Sequence, residues 1–465
     1  MTSRNTSRRG VLKFAGAGLL TGALGISGAG VARAAEDVLW DAVVVGAGYA
    51  GVTAARELAA RGLNTVILEA RDRVGGRIHT SDFAGTQVEL GGGWFGPGQH
   101  LVERELARYH IATTPDVSPT VAVMPGTNGF TQGAPADVFS RLGALFTEFY
   151  RGSEVWFERP SDPLFRADLL RDVDRLSLAD RIGQMTLSPV EHGWVAGSTA
   201  PFAGGNAGGG FTGLAQWYQL AGGTYDAFHA TMSLKPAGGM ISVLQAMLNE
   251  SRVPVRLNSA VTAVTQSTTG LTSVRTADGR THRARVVVMA TPVNTWRTVD
   301  FRPGLPTAHA DASREGVGVP HATKLWLRVR GGSEAVYAQD VESGPIQMLM
   351  PQQQLSDGRM YVAFSSPGLD VTNQAAVAAA VHALIPGGTL VGYRVTEWAK
   401  DPWAKGGWGL RRPGQLLRQL PAVQQPHGHV VFAGSDIASG WYGAFVEGAL
   451  ESGFRAADQA LALAG

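Results

Sequence analysis

Residues 41–77 run as a strand, a glycine turn, a helix, a second strand ending in an acid, and then Gly-Gly-Arg, and few folds hold those parts at that spacing. Ala42 to Val45 is short, apolar and β-branched, which suits a strand covered on both faces of a parallel sheet. Gly46, Gly48 and Gly51 follow in GxGxxG spacing. Gly46 permits the tight turn, Gly48 leaves no Cβ between backbone and pyrophosphate, and Gly51 lets the helix lie against the strand. The helix N-terminus offers free N–H groups to phosphates. The helix carries Val52, Ala55, Leu58 and Ala59 on one face, ends at Gly62, and leads through Thr65–Leu68 to Glu69. A carboxylate there accepts from both ribose hydroxyls and disfavours a 2′-phosphate. The parts specify a dinucleotide site in an α/β Rossmann-like domain, leaving NAD and FAD open. Arg71, Gly75, Gly76 and Arg77 add two cations and a close backbone approach beside the pyrophosphate.

The chain has 465 residues, 44% hydrophobic and 17% charged, enough to bury a large core in two or three domains. It has no cysteine, which excludes disulfides, iron–sulfur clusters, thiol catalysis and a cysteinyl flavin link. Ser7-Arg8-Arg9-Gly10-Val11-Leu12-Lys13 is a twin-arginine pattern, followed by a glycine-rich apolar stretch from Phe14 to Ala29 and an A-x-A cleavage site at Ala32-Arg33-Ala34. Residues 1–34 read as a twin-arginine signal peptide, the mature chain starts at Ala35, and the protein is expected to be exported. Losing Arg4, Arg8, Arg9, Lys13 and Arg33 lowers the formal charge from +2 by 5, to −3. No basic block remains to suggest nucleic acid, no second apolar segment suggests a membrane span, and no histidine spacing suggests a metal.

Further along, residues 89–96 (ELGGGWFG) form a loop that brings backbone close to something flat or charged. From Ala136 to Trp194 the pattern is helical and amphipathic. Residues 200–212 read as a flexible loop, followed by Trp217, Tyr218 and Tyr225, which suit either a cavity wall or a core. A helix is expected from Met240 through Asn249, and strands at Val253–Leu257, Val261–Val264, Leu271–Thr276 and Val286–Met289. Lys324 lies in an alternating strand, 323–329, where periodicity alone also allows an exposed lysine. Asn373 to Leu384 reads as another helix. The end repeats the beginning: strand His429–Phe432, turn 433–436, and a helix from Glu447 to Leu463 whose N-terminus suits a flavin ring that gains negative charge on reduction.

The chain resembles the flavin-containing amine oxidases, the family of monoamine oxidases and bacterial nicotine oxidoreductase. The resemblance spans essentially the whole mature chain. It rests on VVVGAGYAG with Glu69, RVGGR, LGGGWFGPGQ, Lys324, GGW at 406–408, and FAGSDIASGWYGAFVEGALESG. It implies a Rossmann-like FAD-binding domain assembled from 37–118, 231–305 and 409–465, and an α+β substrate-binding domain from 119–230 and 306–408. By it, Gly46, Gly48, Ala50, Gly51, Glu69, Ala70, Arg71, Gly76 and Arg77 hold the adenine half of FAD, and Val264 makes a backbone contact to adenine. Gly92, Gly93, Trp94, Trp403, Gly434 and Phe445 approach the rest of the cofactor. Asp436 falls where the family has a glutamate on the ribityl chain, one methylene longer. Lys324 takes the place of the lysine that holds a water at flavin N5.

The family cages the amine between two aromatic rings, commonly tyrosines. Trp408 takes the first place, and Phe445 the second, with Tyr442 a rival because one extra residue separates Trp441 from Phe445. Trp94, Tyr218 and Tyr225 are further candidates for the substrate wall. Loss of both phenols favours bulky or cyclic amines, and absence of the cysteine beside Trp408 implies non-covalent FAD; His79 is read as a plain loop residue. The implied chemistry is hydride transfer from the carbon next to nitrogen to flavin N5, hydrolysis of the imine to aldehyde or ketone, and reoxidation by O2 giving H2O2. The implied partners are a small amine, O2 or a redox-protein acceptor, the twin-arginine translocon, and a second copy in a homodimer. The rival activity is L-amino-acid oxidation, with Arg166, Arg171 or Arg328 clamping the carboxylate.

Overall fold

Strand Leu39–Val45 pairs in parallel with Thr65–Leu68 on one side and Thr281–Met289 on the other, and its residues Ala42, Val43 and Val44 are wholly buried. The structure, a computed structural model, describes residues 38–332 and 334–464. The twin-arginine pattern and its cleavage site lie outside the described residues. The first sheet runs Asp300–Arg302, Val261–Gln266, Thr272–Thr276, Thr281–Met289, Leu39–Val45, Thr65–Leu68, Val255–Arg256. Val430–Phe432 lies in parallel beside the last residues of Thr281–Met289. Three distant stretches of chain therefore end at one edge.

Gly46 turns the first strand into helix Tyr49–Ala60 with φ +107°. A Cβ on Gly51 would stand 2.0 Å from the Gly46 carbonyl oxygen, so only glycine lets the helix return across its own strand. The terminal helix Val446–Ala464 packs on this helix through Gly453, where a Cβ would meet Thr53 Cβ at 2.6 Å.

A second sheet runs Thr389–Glu397, Thr323–Arg330, Gly358–Ser365, Ile346–Leu355, Val336–Gln339, Val121–Pro125, Phe130–Gly133. Helices Pro135–Phe149 and Pro189–Ala203 pack against it. One continuous apolar cluster joins Trp40 and Val43 of the first sheet to Ala122 and Met124 of the second through Phe146 and Trp217.

The long helical pattern from 136 to 194 resolves into several helices. Gly152 (φ +93°), Pro160 and Pro163 interrupt it, and Ser177 and Ser188 start new helices with reciprocal capping boxes to Asp180 and Glu191. The expected loop at 200–212 is shorter than its glycines suggested. Helix Pro189–Ala203 enters it and helix Phe211–Ala221 begins inside it. The turn between them is pinned by buried Asn206, whose backbone N–H and Nδ2 donate to the Glu342 carboxylate at 2.7 and 2.8 Å. Val253–Leu257 contracts to Val255–Arg256, the part that finds Ile67 and Leu68 as partners.

Gly51→Ala should destabilise the protein by about 1–3 kcal/mol through forced overpacking. Gly183→Ala, at a helix end where the new Cβ meets nothing within 4 Å, should be neutral or slightly stabilising. Thermal unfolding of both variants checks the pair.

Candidate active site

A cavity of about 320 Å³ opens at the carboxyl ends of the parallel strands, where doubly wound sheets bind ligands. Gly46, Gly48 and Ala50 line its first stretch. Gly48 caps helix Tyr49–Ala60 with no side-chain hydrogen bond and no acid in the first turn, so the N–H groups there stay open to an anion. Gly76 stands across from it: a Cβ on Gly76 would lie 3.5 Å from Gly48 Cα. The result is a slot walled by backbone on both sides.

Glu69, Ala70 and Arg71 continue the wall. The buried Glu69 carboxylate accepts from the Ala47 N–H at 2.8 Å and the Arg71 N–H at 2.9 Å, and this fixes it facing the slot. The two arginines read as phosphate cations are already paired. Arg71 donates to Asp401 at 2.6 Å. Arg77 donates to the Gly407 carbonyl at 2.8 Å and to Ser435 Oγ at 3.1 Å, and pairs with Asp436 at 2.8 Å. Each clips the amino-terminal loop to residues more than 300 positions away. Arg73 locks the same loop by donating to the carbonyls of Val74, Gly76 and Ile78.

Beyond the slot, Gly92, Gly93 and Trp94 line the cavity with Gly434 and Ser435. Lys324 is buried, donates to the Gly91 carbonyl at 2.8 Å, and sits 4.3 Å from the Trp94 ring centre. Burial lowers its pKa to about 7, against the pull of Glu89. Burial pushes the Glu89 carboxyl up, so both groups move toward neutrality. Trp94 Nε1 donates to Asp116 at 2.5 Å, and Asp116 in turn accepts from Lys235 at 2.7 Å.

Trp408 and Phe445 both face the cavity. Trp408 is held by its Nε1 donating to the Phe202 carbonyl at 2.9 Å and by edge contact with Phe364. Phe445 is braced edge-on by Trp441 and Trp217. Tyr225 and the half-exposed Trp403 also line the cavity.

Five expected residues stand off the wall. Gly51 lies behind the turn, as its helix–strand contact requires. Val264 points into the core. Ser259 and Val261, earlier on the same stretch, line the cavity instead. Asp436 is buried beneath Ser435, its carboxylate taken by Arg77 and the Val293 N–H. Tyr218 stacks on Tyr150, centroids 4.2 Å apart, in the aromatic core. Tyr442 is fully buried under the Arg411 guanidinium, 3.6 Å from its ring centre, and accepts from the Arg411 N–H. Phe445, not Tyr442, faces the cavity.

Among the lining residues sequence reasoning missed are Phe202 and Phe364 beside Trp408, and Thr199, Phe228, His229, Tyr337, Met348 and Met350. They come from helix and strand segments with ordinary core patterns and carry no motif. The backbone-walled slot, the open helix N-terminus and the fixed Glu69 fit the pyrophosphate and ribose of FAD, and the glycine loop with Trp94 leaves room for a flat ring.

The family model described as flavin containing amine oxidoreductase matches residues 49–461. The chain belongs to that family. It is 34% identical over 436 residues to a pseudooxynicotine dehydrogenase from a Pseudomonas species, covering 90% of this chain and 85% of that protein. It is 29% identical to the (S)-6-hydroxynicotine oxidase of Paenarthrobacter nicotinovorans, covering 89% and 97%. The fold matches putrescine oxidase bound to putrescine with a TM-score of 0.76, at 21% identity and 91% and 99% coverage. The protein is thus a flavin-dependent amine oxidoreductase with FAD as its cofactor.

Phe445→Ala should open the cavity and weaken binding of small amines about tenfold, since an aromatic wall of this size contributes roughly 1–2 kcal/mol of contact. Tyr442→Phe should leave amine affinity unchanged. Anaerobic titration of the flavin spectrum with a small amine distinguishes the two variants.

Proposed function

We propose that the protein oxidises a bulky or cyclic amine, taken up as the free base, with O2 as the final acceptor. The observation that carries this reading is the composition of the substrate wall. It is aromatic, the two sides of the expected cage are Trp408 and Phe445, and the one carboxylate among the described residues lining the cavity, Glu69, is committed at the far-off adenine end. An ammonium ion there would be buried without a partner, so the site selects the neutral amine, whose lone pair is free.

Bound FAD supplies the two-electron chemistry, accepting a hydride from the carbon beside nitrogen. The chain's own groups do the rest. Trp408 and Phe445 press on the two faces of the amine and orient its C–H bond. Trp94 and the loop 91–93 exclude water from the reacting edge. Lys324 holds a proton, or a water, at the cavity wall beside Gly91. FAD is held without a covalent link: the chain has no cysteine, and His79 is not among the residues lining the cavity. The names of the two relatives, each acting on a nicotine-type amine, support a cyclic or bulky substrate. An L-amino-acid substrate is disfavoured, because Arg166 pairs with Asp168, Arg328 pairs with Asp357, and neither these nor Arg171 lines the cavity. Export by the twin-arginine route rests on Ser7–Lys13 and Ala32–Ala34. Replacing Arg8 and Arg9 by lysines should leave the precursor in the cytoplasm.

Lys324 is charged below pH of about 7 and neutral above it. A cation beside the reduced cofactor favours electron transfer to O2, so reoxidation should slow as pH rises through about 7. Lys324→Met should make reoxidation slow and flat with pH while changing amine-driven reduction less. Trp408→Ala should do the opposite, slowing reduction by about 10-fold or more through lost orientation. Stopped-flow bleaching and recovery of the flavin absorbance reads both half-reactions.

A second reading concerns the acceptor. The 34% relative is named a dehydrogenase, which favours a redox protein over O2. Reoxidation by air-saturated buffer orders of magnitude slower than turnover with an artificial acceptor would establish it, and equal rates would reject it.

A further inference from the structure

The far wall of the cavity carries polar groups that the proposed chemistry does not use. Tyr225 and Tyr337 are buried, line the cavity, and make no hydrogen bond through their hydroxyls to any of the described residues. Close to them, Tyr150 Oη is buried and likewise without a partner. His229 stands 6.2 Å from the Tyr225 ring and 6.4 Å from the Tyr337 ring. It lines the cavity, and burial lowers its pKa. Other polar groups nearby are internally satisfied: Thr199 Oγ1 donates back to Val195 and Ser198 Oγ to Gln339.

Buried hydroxyls in native proteins nearly always have partners. Several unpaired ones converging on one cavity mark a place where a ligand supplies the partner. Aromatic residues stand between this place and Trp408. The ring contacts lead from Trp408 to Phe202 through the Phe202 carbonyl, from Phe202 to Phe228 at 6.0 Å, and from Phe228 to Tyr150 at 6.2 Å, before reaching Tyr225. The charge state of the pole is also defined. Burial raises the pKa of both tyrosines and lowers that of His229, so all three are neutral at pH 7. Among the described residues no carboxylate or guanidinium lines this end of the cavity; the acid that acts on Tyr225 and His229, Asp226, is exposed and stands outside the wall.

We propose that Tyr225, Tyr337 and His229 form a second binding subsite, which takes a neutral hydrogen-bonding group, such as a carbonyl, hydroxyl or ring nitrogen, at the end of the substrate remote from the oxidised nitrogen. The substrate class narrows accordingly to monoamines with a polar, uncharged far end, and excludes diamines and amino acids. The assignment rests on the amine-oxidation reading for the position of the other end.

The test uses the FAD-bound enzyme and four secondary amines of equal length ending in a methyl ketone, an isopropyl group, an ammonium or a carboxylate. Kd is read anaerobically from the perturbation of the flavin spectrum, which needs no turnover, with ether analogues lacking the nitrogen as a parallel set. The ketone should bind about fivefold or more tighter than the isopropyl compound, as one or two neutral hydrogen bonds allow, and the charged ends weakest. Tyr337→Phe and Tyr225→Phe should each erode that ketone preference by about threefold. Equal affinities for ketone and isopropyl ends, preference for a charged end, or variants that leave the ketone preference intact would overturn the subsite. Failure of every amine to bleach the flavin would overturn the proposed function instead, and the ether series would still report on the subsite.

Discussion

The parallel pairing of Leu39–Val45 with Thr65–Leu68 and Thr281–Met289, with Val430–Phe432 alongside, sets the position of everything that binds. Parallel strands end at the same edge, so the turns after 45 and 68 converge with those after 289 and 432, although more than 200 residues separate the two pairs. Those turns supply Gly46 and Gly48, Glu69, Ala290 and Thr291, and Gly434 and Ser435 to one cavity. Arg77 then closes the arrangement, joining the loop after the second strand to Gly407 and Asp436. A guanidinium is suited to this because its planar fork reaches several acceptors at once.

The second sheet and its helices complete the cavity with a different chemistry. Where the first sheet contributes backbone and small residues, the second contributes rings and Lys324. The ammonium is held by one carbonyl and a tryptophan face rather than by a carboxylate. That choice keeps its proton loosely bound near neutral pH, which a salt bridge would prevent. Trp94 is anchored by Asp116, which accepts from its Nε1 and pairs with Lys235, so this half-buried ion pair stiffens an active-site ring.

Much of the cofactor end was legible in the chain, because its demands are local. A turn at φ +107° requires glycine at 46, a helix crossing its strand requires glycine at 51, and an acid at the end of the second strand follows at fixed spacing. The exceptions are instructive. Arg71 and Arg77 line the cavity as their pattern implies, and each also has an acidic partner more than 300 residues away that no local pattern reveals. Val264, placed by resemblance, is buried in the core, and Val261 three residues earlier lines the cavity. The glycine run near 205 suggested freedom, but a single glutamate from the other sheet pins it.

The sequence by itself determined the α/β dinucleotide unit and the pairing of chain start with chain end, since backbone geometry and strand periodicity are written in neighbouring residues; FAD rather than NAD came from the family resemblance. It left open which aromatics face the substrate. Tyr218 and Tyr442 are chemically as suitable as Tyr225 and Phe445, and only packing separates them: Tyr442 is covered by Arg411 and Tyr218 by Tyr150. The far wall of Tyr337 and His229 was decided wholly by tertiary structure. Convergence of a strand, a helix and a loop on one space depends on contacts between distant segments, and no single segment records it.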